Sequence, residues 1–387
     1  MNKKFASDFG QFLYRFRMRV GMDIEERFNL ITRNTLEVVD EESLKKLLAE
    51  KEHPRLYIGF EPSGLCHFGW MLVANKIRDY IEAGLEVIIF FADWHAQING
   101  KLGGSLETIQ LCAEYMKDSF ESLGIPRDKV NFVMASEILD NDYWATVIKI
   151  GSETSIARVK RAMTIMGRKA DNDEVKTSMM LYPLMQPADI FKMDIDIGYG
   201  GLDQRRAHML ARDVAKKCGW KAPVAIHTPL VPGLKAMNRM DPAASKMSKS
   251  KPDSGILIHD KPEDIEKKLR GAFCPMPGEY DNSVIKVDKT EEGGEATTGN
   301  PVLEIARLLL FSNGAKLRIE RPEKYGGSFE VASYEELEKA YQNGLHPNDL
   351  KHAVAKGISD SLAGSREYFE RNPGNYRKFC EAIGREI

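Results

Sequence analysis

Residues 56–64 have the sequence LYIGFEPSG, in which a short apolar run ends in Pro, Ser and Gly. The apolar run is typical of a β-strand, and the Pro-Ser-Gly that ends it is typical of a tight turn. From Met71 to Ala83 the apolar residues recur at helical spacing. The sequence therefore predicts a strand, a turn and a helix in direct succession.

Strands and helices are predicted to alternate beyond this point. Residues 87–91, VIIFF, form a continuous apolar run, as expected for a parallel strand buried on both faces. Three more strand candidates are Asn131–Met134, Met193–Ile197 and Val224–Ile226, with helical stretches at 106–123 and 204–217. This alternation predicts an α/β fold with right-handed crossovers and ligand sites at the carboxyl ends of the strands.

The pattern changes near Asp260, after which no run typical of a parallel strand follows. Asp260 with Glu263, and Ser333 with Glu336, have the spacing of capping boxes that begin helices. We therefore expect three parts, which are an N-terminal extension at 1–22, a sheet domain at 23–259 and a mostly helical domain at 260–387 with a C-terminal tail.

The composition excludes several classes of protein. Of 387 residues, 43% are hydrophobic and 29% are charged, which is typical of a globular chain. Fifty-five Lys and Arg against 57 Asp and Glu exclude a uniformly basic nucleic-acid coat but allow a local basic patch. No apolar run approaches the roughly 20 residues that span a bilayer, and the five cysteines include no C-x-x-C pair. We therefore expect a cytoplasmic protein with no membrane segment, no disulfide framework and no metal site of its own.

Residues 66–69, CHFG, lie at the predicted start of the helix after the first strand. A helix N-terminus presents unpaired N–H groups and a partial positive charge, which favour an anion such as phosphate. His67 can donate to phosphate, and Gly69 leaves room for a flat base against the backbone. Alternatively, His67 only caps or packs at the helix start, and these residues alone favour that interpretation.

Residues 246–250, KMSKS, form a basic loop that is followed by Lys251, Pro252 and Asp253. Lys246 and Lys249 can swing onto a triphosphate and neutralise the charge that grows on the α-phosphate and on the leaving pyrophosphate. The alternative is a solvated basic loop, which the composition alone favours.

In this order, the two motifs are the signature pair of class I aminoacyl-tRNA synthetases. The chain resembles the tyrosyl-tRNA synthetases of the archaeal and eukaryotic type from about Ile24 to near Leu362. The resemblance is carried by the blocks 57–64, 92–96, 182–189, 200–205, 246–250 and 321–327. It implies a Rossmann-like parallel-sheet catalytic domain, with a connective insertion at about 120–180, followed by a C-terminal, mostly helical anticodon-binding domain.

Some features depart from the family pattern. Trp70 stands where the ATP-site motif of the family often has a second histidine. The loop Lys286–Asn300 and the tail from Ser365 look like additions to the family core. These two segments have no predicted role.

The resemblance implies a binding site for tyrosine. Tyr57 and Asp189 match residues that hydrogen-bond the substrate phenol, and a hydroxyl with a carboxylate satisfies both the acceptor and the donor of a phenol. The residues that match those holding the amino group are Tyr182, Gln186 and Gln204. His95 matches a residue at the pocket wall. Standing alone, Tyr57 would be an ordinary strand tyrosine and Asp189 a surface acid.

The resemblance also implies an ATP site. Asp203 matches the acid that accepts from the ribose, and Gly201 matches the glycine that lets the nucleotide approach. The implied ATP-binding residues are Gly59, His67, Gly69, Gly201, Asp203, Lys246, Met247, Ser248, Lys249 and Ser250, and the implied catalytic residues among them are His67, Gly69, Lys246 and Lys249. Mg²⁺ is expected to accompany ATP, bound chiefly through phosphate oxygens.

Two groups of residues are expected to contact tRNA. The group whose charges suit acceptor-stem phosphates comprises Arg158, Lys160, Arg161, Arg205 and Arg206. The group that matches family positions at the anticodon comprises Tyr325, His346 and Asp349. A stacking aromatic ring and a carboxylate that accepts from guanine suit single-stranded readout. The alternatives are a solvated basic helix face for the first group and a simple helix-opening turn at 346–349 for the second.

The resemblance implies the activity of a tyrosine–tRNA ligase. Tyrosine and ATP would give tyrosyl-adenylate and pyrophosphate, and the 3′-terminal ribose of tRNA(Tyr) would then accept the tyrosyl group. It also implies a homodimer with its interface at roughly 120–168. Two alternatives stay open, which are the sister enzyme for tryptophan and a paralogue that binds RNA without catalysis. Tyr57 and Asp189 disfavour the first, because an indole has one donor and no acceptor.

Overall fold

The computed structural model describes residues 21–167, 176–236, 255–282 and 299–386, which fall into two compact units. The first unit comprises the described residues within Met1–Leu65, Lys76–Pro229 and Pro373–Ile387. The second comprises those within Cys66–Asn75 and Leu230–Asn372. The two units are defined by contacts within the structure, and each comprises separate stretches of the chain. The domain boundaries predicted at residues 22 and 259 stay a prediction.

The first unit is built on a six-stranded sheet. Its strands are β1 (Glu37–Val39), β2 (Arg55–Phe60), β3 (Glu86–Phe91), β4 (Val130–Met134), β5 (Ile197–Gly201) and β6 (Val224–Thr228). Their order is β1-β6-β5-β2-β3-β4, and all neighbours are parallel except β1, which runs antiparallel to β6. Residues 87–91 of β3 are all buried, as their continuous apolar run predicted. The predicted α/β fold is therefore confirmed.

The strand predicted at Met193–Ile197 is wrong, because β5 begins only at its last residue. Gly198 and Gly200 concealed β5 from sequence analysis, since glycine has a low strand propensity. An ideal Cβ at Gly198 would lie 3.3 Å from the His208 ring, and one at Gly200 would lie 3.0 Å from Cβ of Gln204. The segment that follows β5 packs closely against this strand, and a side chain at residue 198 or 200 would press on it.

The helices that lie before residue 230 are α1 (Ile24–Thr32), α2 (Glu41–Glu50), α3 (Trp70–Glu82), α4 (Asp93–Ile98), α5 (Leu106–Ser122), α6 (Ala135–Ile138), α7 (Asn141–Ser152), α8 (Ile156–Ala162), α9 (Tyr182–Lys192) and α10 (Arg205–Cys218). Short 3₁₀ segments lie at Lys101–Gly104, Arg127–Lys129, Met163–Met166, Thr177–Met180 and Leu202–Gln204. The helices predicted at 71–83, 106–123 and 204–217 are confirmed as α3, α5 and α10.

The second unit is mostly helical. Its elements are α11 (Pro262–Arg270), α12 (Pro301–Ile305) with a π-helical continuation at Ala306–Leu310, a 3₁₀ segment at Phe311–Asn313, β7 (Leu317–Ile319), a 3₁₀ segment at Glu323–Tyr325, β8 (Phe329–Val331), α13 (Tyr334–Gln342), α14 (Pro347–Ser361) and α15 (Ala363–Arg371). β7 and β8 pair as an antiparallel ladder. The chain then returns to the first unit in α16 (Gly374–Ala382), where Phe379 stacks on Tyr115 of α5.

The two predicted helix caps of this unit have different outcomes. The Ser333 side chain accepts a hydrogen bond from the backbone N–H of Glu336 at 3.2 Å, so this cap is confirmed. The cap predicted at Asp260 is wrong, because α11 begins at Pro262 and its cap residue, Lys261, makes no side-chain cap hydrogen bond. Asp260 instead accepts from the backbone N–H of Leu257 at 2.8 Å and from the side chain of Lys268 on α11.

Candidate active site

Tyr57 lies on β2 with its ring buried in the core of the first unit. Its exposed fraction is 2%, and its ring centroid is 5.6 Å from that of Phe90. Tyr57 and Gly59 point to the same face of β2, because side chains alternate along a strand. An ideal Cβ at Gly59 would lie 2.3 Å from the Tyr57 hydroxyl oxygen. Glycine at 59 therefore leaves the space that the phenol occupies.

Helix α9 places three polar side chains on one face. Tyr182, Gln186 and Asp189 are four and three residues apart, which is the spacing of neighbours on a helix surface. All three are buried. Polar groups are rarely buried without partners, and Gln186 and Asp189 each have one on a neighbouring element.

Asp189 lies between an imidazole and a phenol. The Tyr143 hydroxyl donates to Oδ1 of Asp189 at 2.8 Å, and Nε2 of His95 is 3.1 Å from Oδ2. Burial raises the pKa of Asp189, and His95 and Tyr143 offset this effect only in part. Burial lowers the pKa of His95, but the combined effects of Asp189, Glu61 and Asp93 outweigh burial and raise this pKa above its ordinary value. Asp189 thus has a hydrogen-bond donor at Oδ1 and a basic partner at Oδ2.

The structure buries Tyr57 and Asp189 close enough together to interact electrostatically. Burial, followed by the charge of Asp189, raises the pKa of Tyr57 well above its ordinary value. Burial and the charge of Glu61 likewise raise the pKa of Tyr182, with smaller effects from Tyr57 and Asp189. The Tyr182 ring also lies edge-on to His95, with their centroids 5.1 Å apart. These four aromatic and acidic side chains of the predicted tyrosine site are thus neighbours.

A chain of amide hydrogen bonds joins the residues predicted to hold the amino group. Nε2 of Gln186 donates to Oε1 of Gln204 at 3.2 Å, and Nε2 of Gln204 donates to Oδ2 of Asp203 at 3.1 Å. Oε1 of Gln186 is buried and has no donor among the described residues. An ammonium group would satisfy this amide oxygen. Asp203 follows Gly201, which is the last residue of β5, so both lie at the carboxyl end of a parallel strand.

His67 and Gly69 belong to the second unit, directly before α3 begins at Trp70. The backbone N–H of Gly69 donates to Nδ1 of His67 at 3.2 Å, so Nε2 carries the proton of the neutral ring. The backbone N–H of Phe68 donates to the carbonyl of Ile256 at 2.8 Å. The chain that follows the 246–250 loop is thereby tied to the segment of His67.

The lysine loop itself is outside the part of the chain that the structure describes. Lys246, Met247, Ser248, Lys249 and Ser250 all fall in the gap between residues 236 and 255. Their predicted contacts with ATP stay a prediction.

The five basic residues predicted at the tRNA acceptor stem are Arg158, Lys160 and Arg161 on α8, and Arg205 and Arg206 on α10. Arg205 donates to both oxygens of Glu37, at 2.8 and 3.0 Å, and Arg158 donates to Asp213 at 2.9 Å. These partners compensate two of the positive charges. Lys160 is exposed beside them. Any phosphate contact by this group therefore depends more on the exposed residues of α8 than on Arg205.

The residues predicted at the anticodon lie in the second unit. Tyr325 is 59% exposed, and Nζ of Lys324 is 4.8 Å from its ring centroid. His346 is the cap residue of α14, where its Nδ1 accepts from the backbone N–H of Asn348 at 3.2 Å. Asp349 lies in the first turn of the same helix. His346 thus has the helix-opening role that the sequence left open, and Tyr325 presents an exposed ring.

Two polar residues near Asp189 and Tyr182 were not predicted from the sequence, which are Tyr143 and Glu61. Tyr143 binds Asp189, as described above, but its position on α7 gives no signal in the sequence. Glu61 accepts from Nδ2 of Asn99 at 2.8 Å and hydrogen-bonds the Tyr182 side chain. Glu61 directly follows β2, and an acid at the carboxyl end of a parallel strand is a signal that could have identified it.

Among residues 21–167, 176–236, 255–282 and 299–386, no helix has both the length and the apolar character needed to cross a membrane. In those same ranges, no group of three or more His, Cys, Asp or Glu side chains is arranged to hold a metal ion.

The chain matches a known family of proteins over most of its length. A family model described as "tRNA synthetases class I (W and Y)" matches residues 49–363. The match covers most of the chain, and the chain therefore belongs to this family of class I tRNA synthetases. The predicted family is confirmed.

Within the family, the chain is similar to archaeal tyrosine–tRNA ligases. The tyrosine–tRNA ligase of Aeropyrum pernix is 48% identical over 376 residues, which are 94% of this chain and 98% of that protein. The tyrosine–tRNA ligase of Sulfolobus acidocaldarius is 47% identical over 353 residues, which are 88% of this chain and 93% of that protein. The crystal structure of tyrosyl-tRNA synthetase complexed with L-tyrosine from Pyrococcus horikoshii has a TM-score of 0.81 at 38% identity, and the match covers 93% of this chain and 100% of that chain. The predicted archaeal tyrosyl type is thereby confirmed.

Proposed function

We propose that this protein is a tyrosine–tRNA ligase, which activates tyrosine with ATP and transfers it to tRNA. The relatives described above confirm the ligase activity and the choice of tyrosine over tryptophan. The observation that carries the proposal within the site is that Tyr57 and Asp189 are both buried and close enough for the charge of Asp189 to raise the pKa of Tyr57.

This pair suits a phenol better than an indole or a phenyl ring. The Tyr57 hydroxyl can donate to the phenol oxygen while the Asp189 carboxylate accepts the phenol proton. An indole offers a donor but no acceptor, and a phenyl ring offers neither. Either substitute would leave a buried polar group without a partner, which costs about 1 to 3 kcal/mol per group.

Adenylation needs no side-chain nucleophile, because the substrate carboxylate itself attacks the α-phosphate of ATP. The protein contributes position and charge. We infer that Gln186 and Gln204 orient the amino group, Asp203 the ribose, and His67 with the two lysines of the 246–250 loop the phosphates. The hydrogen bonds between residues 66–68 and 256–258 support this grouping, since they tie the end of the loop to His67. Mg²⁺ enters with ATP as part of the substrate, bound through phosphate oxygens.

We also propose a homodimer. Trp144 and Ile148 lie four residues apart on α7, with 36% and 69% of their surface exposed, and Ile156 at the start of α8 is 70% exposed. Large apolar side chains exposed in one segment mark an association surface, and these fall within the predicted interface at 120–168. Sedimentation of Ile148→Glu, with Met276→Glu as the control for an exposed apolar residue of the second unit, tests this proposal. We place the dimer in the cytoplasm, where its proposed tRNA substrate is used.

An exchange assay tests the proposed function. Labelled pyrophosphate should enter ATP with tyrosine and not with tryptophan or phenylalanine. Asp189→Asn should lower kcat/KM for tyrosine about tenfold or more, because it removes the charged acceptor. Asp142→Asn, an exposed acid on α7, is the matched control. Exchange with tryptophan alone would overturn the assignment.

A further inference from the structure

We propose that Tyr143 and His95 are positioning residues that hold Asp189 as an ionised acceptor with one oxygen available to the substrate phenol, and that they thereby set the preference for tyrosine over phenylalanine. This inference deepens the proposed function and rests on it. It concerns two residues that act through Asp189 and need not themselves touch the reacting atoms.

Oδ1 of Asp189 accepts a hydrogen bond from Tyr143. Tyr143 is fully buried on α7, and its hydroxyl is 2.8 Å from this oxygen and 3.2 Å from the backbone carbonyl of Met185. A hydroxyl has one proton, and the nearer, charged acceptor takes it. Oδ1 is therefore satisfied by the protein, and the bond fixes the rotation of the carboxylate.

Oδ2 of Asp189 lies beside His95. Nε2 of His95 is 3.1 Å away, close enough for an ion pair, but the two groups are not aligned as a hydrogen bond. Oδ2 has no aligned donor among the described residues, although the side chain is only 1% exposed. A buried acceptor without a donor is costly, so a ligand that supplies an O–H is favoured over one that does not. Tyrosine supplies that O–H, and phenylalanine does not.

The charge of the Asp189 carboxylate depends on the groups around it and around His95. His95 faces three acids, which are Asp189, Glu61 and Asp93, and Asp189 also faces the phenols of Tyr57, Tyr143 and Tyr182. His95 is a basic group 3.1 Å from Asp189, whereas Lys101 pairs with Glu61 at 3.3 Å. Without His95, the buried Asp189 carboxylate would be harder to ionise. When Asp189 is protonated, one of its oxygens donates a hydrogen bond. The carboxyl group then no longer requires the phenol proton.

The experiment uses the full chain with the variants Tyr143→Phe and His95→Gln, and measures ATP–pyrophosphate exchange with tyrosine and with phenylalanine from pH 5.5 to 8.5. Tyr80→Phe is the matched control, because it also removes a buried hydroxyl and that hydroxyl has no hydrogen-bond partner among the described residues.

Tyr143→Phe and His95→Gln should each lower kcat/KM for tyrosine about tenfold and leave KM for ATP unchanged. Tenfold is the loss expected of a hydrogen bond to a charged group. The tyrosine-to-phenylalanine preference should fall by a similar factor, and His95→Gln should move the acid limb of the tyrosine profile to higher pH.

A double-mutant cycle separates positioning from a structural role. In an Asp189→Asn background, Tyr143→Phe should cost little more, because it acts through the carboxylate. If Tyr143→Phe lowers exchange with both amino acids equally, or if its effect persists in that background, the inference is wrong. Should Tyr143→Phe fail to fold, the pH shift of His95→Gln decides the question. Absence of tyrosine exchange in the unmodified protein would instead refute the proposed function.

Discussion

The Tyr57 hydroxyl occupies the space that a side chain at residue 59 would need, since an ideal Cβ at Gly59 would lie 2.3 Å from its oxygen. The two residues are on the same face of β2, because side chains alternate along a strand. The family resemblance implied that Gly59 binds ATP, and this stays a prediction. Its close approach to Tyr57 gives Gly59 a further task, which is to leave room for the Tyr57 side chain.

We predict that Gly59→Ala weakens tyrosine binding. Alanine in place of a strand glycine would normally stabilise the protein by about 0.5 to 1 kcal/mol. Here the new methyl group would overlap the phenol, and overpacking costs about 1 to 3 kcal/mol, so the clash should outweigh the gain. We expect the melting temperature to fall and KM for tyrosine to rise about tenfold, as for a lost phenol hydrogen bond.

Gly374→Ala is the control for this substitution. Gly374 is in α16, and no atom lies within 4 Å of an ideal Cβ there. The change should leave exchange unaltered and keep or raise stability. An unchanged KM for tyrosine in Gly59→Ala would mean that the phenol can move without loss, and the proposed role of Gly59 would be wrong.

Apolar pattern predicted the sheet well and the pocket poorly. β3 was evident because all its inner residues are apolar, whereas β5 was misplaced because its glycines carry no side-chain signal. Tyr57 and Asp189 were found only because whole blocks resemble a known family. Tyr143 was not found, because its contact joins α7 to α9 across 46 residues of sequence. Packing of this kind depends on tertiary geometry, which neither propensity nor periodicity encodes.

We predict that Glu37 stabilises the fold against acid. Burial alone would raise the pKa of Glu37, but hydrogen bonds from His227 and Arg205 lower it to about 2. A carboxylate with a depressed pKa in the folded state stabilises that state above its unfolded pKa of 4.5, and the contribution is lost as the pH falls towards about 2. Glu37→Gln should therefore lower the free energy of unfolding by roughly 1 to 3 kcal/mol at pH 7 and by much less at pH 2.5.

Urea unfolding of the variant at pH 7, 4 and 2.5 checks this prediction. Glu25→Gln is the control, since Glu25 forms an ion pair with Lys45 but is 64% exposed. Exposed pairs contribute at most about 1 kcal/mol, so this variant should show little effect at any of the three pH values. A loss in Glu37→Gln that is equal at pH 7 and pH 2.5 would show that packing and not charge is responsible.

We predict that Tyr325→Ala impairs tRNA charging without affecting amino-acid activation. The ring is 59% exposed with the Lys324 ammonium 4.8 Å from its centroid, an arrangement that suits an unpaired base and its phosphate. A lost base stack should lower kcat/KM for tRNA by roughly 5- to 100-fold. Met276→Ala, which shortens another exposed side chain of the second unit, should have no effect. Equal losses in charging and in pyrophosphate exchange would contradict a role in tRNA binding.

We predict that the C-terminal helix α16 stabilises the first unit through Phe379. This residue is fully buried, and its ring stacks on Tyr115 of α5 with centroids 5.5 Å apart and planes 19° apart. Truncation of a buried phenylalanine to alanine costs about 3 to 5 kcal/mol, so Phe379→Ala should lower the melting temperature markedly. Ile383→Ala, at a position 36% exposed just after the helix, should cost much less.

The effect of Phe379→Ala should also reach the pocket. Nε2 of Gln110 on α5 donates to Oδ2 of Asp93, and Asp93 begins α4, the helix that carries His95. If α16 holds α5 in place, loss of the ring should raise KM for tyrosine several-fold at a temperature where the variant is still folded, while KM for ATP changes less. An unchanged melting temperature would show that α16 contributes nothing to the first unit, and a lowered one with unchanged tyrosine kinetics would confine its role to stability.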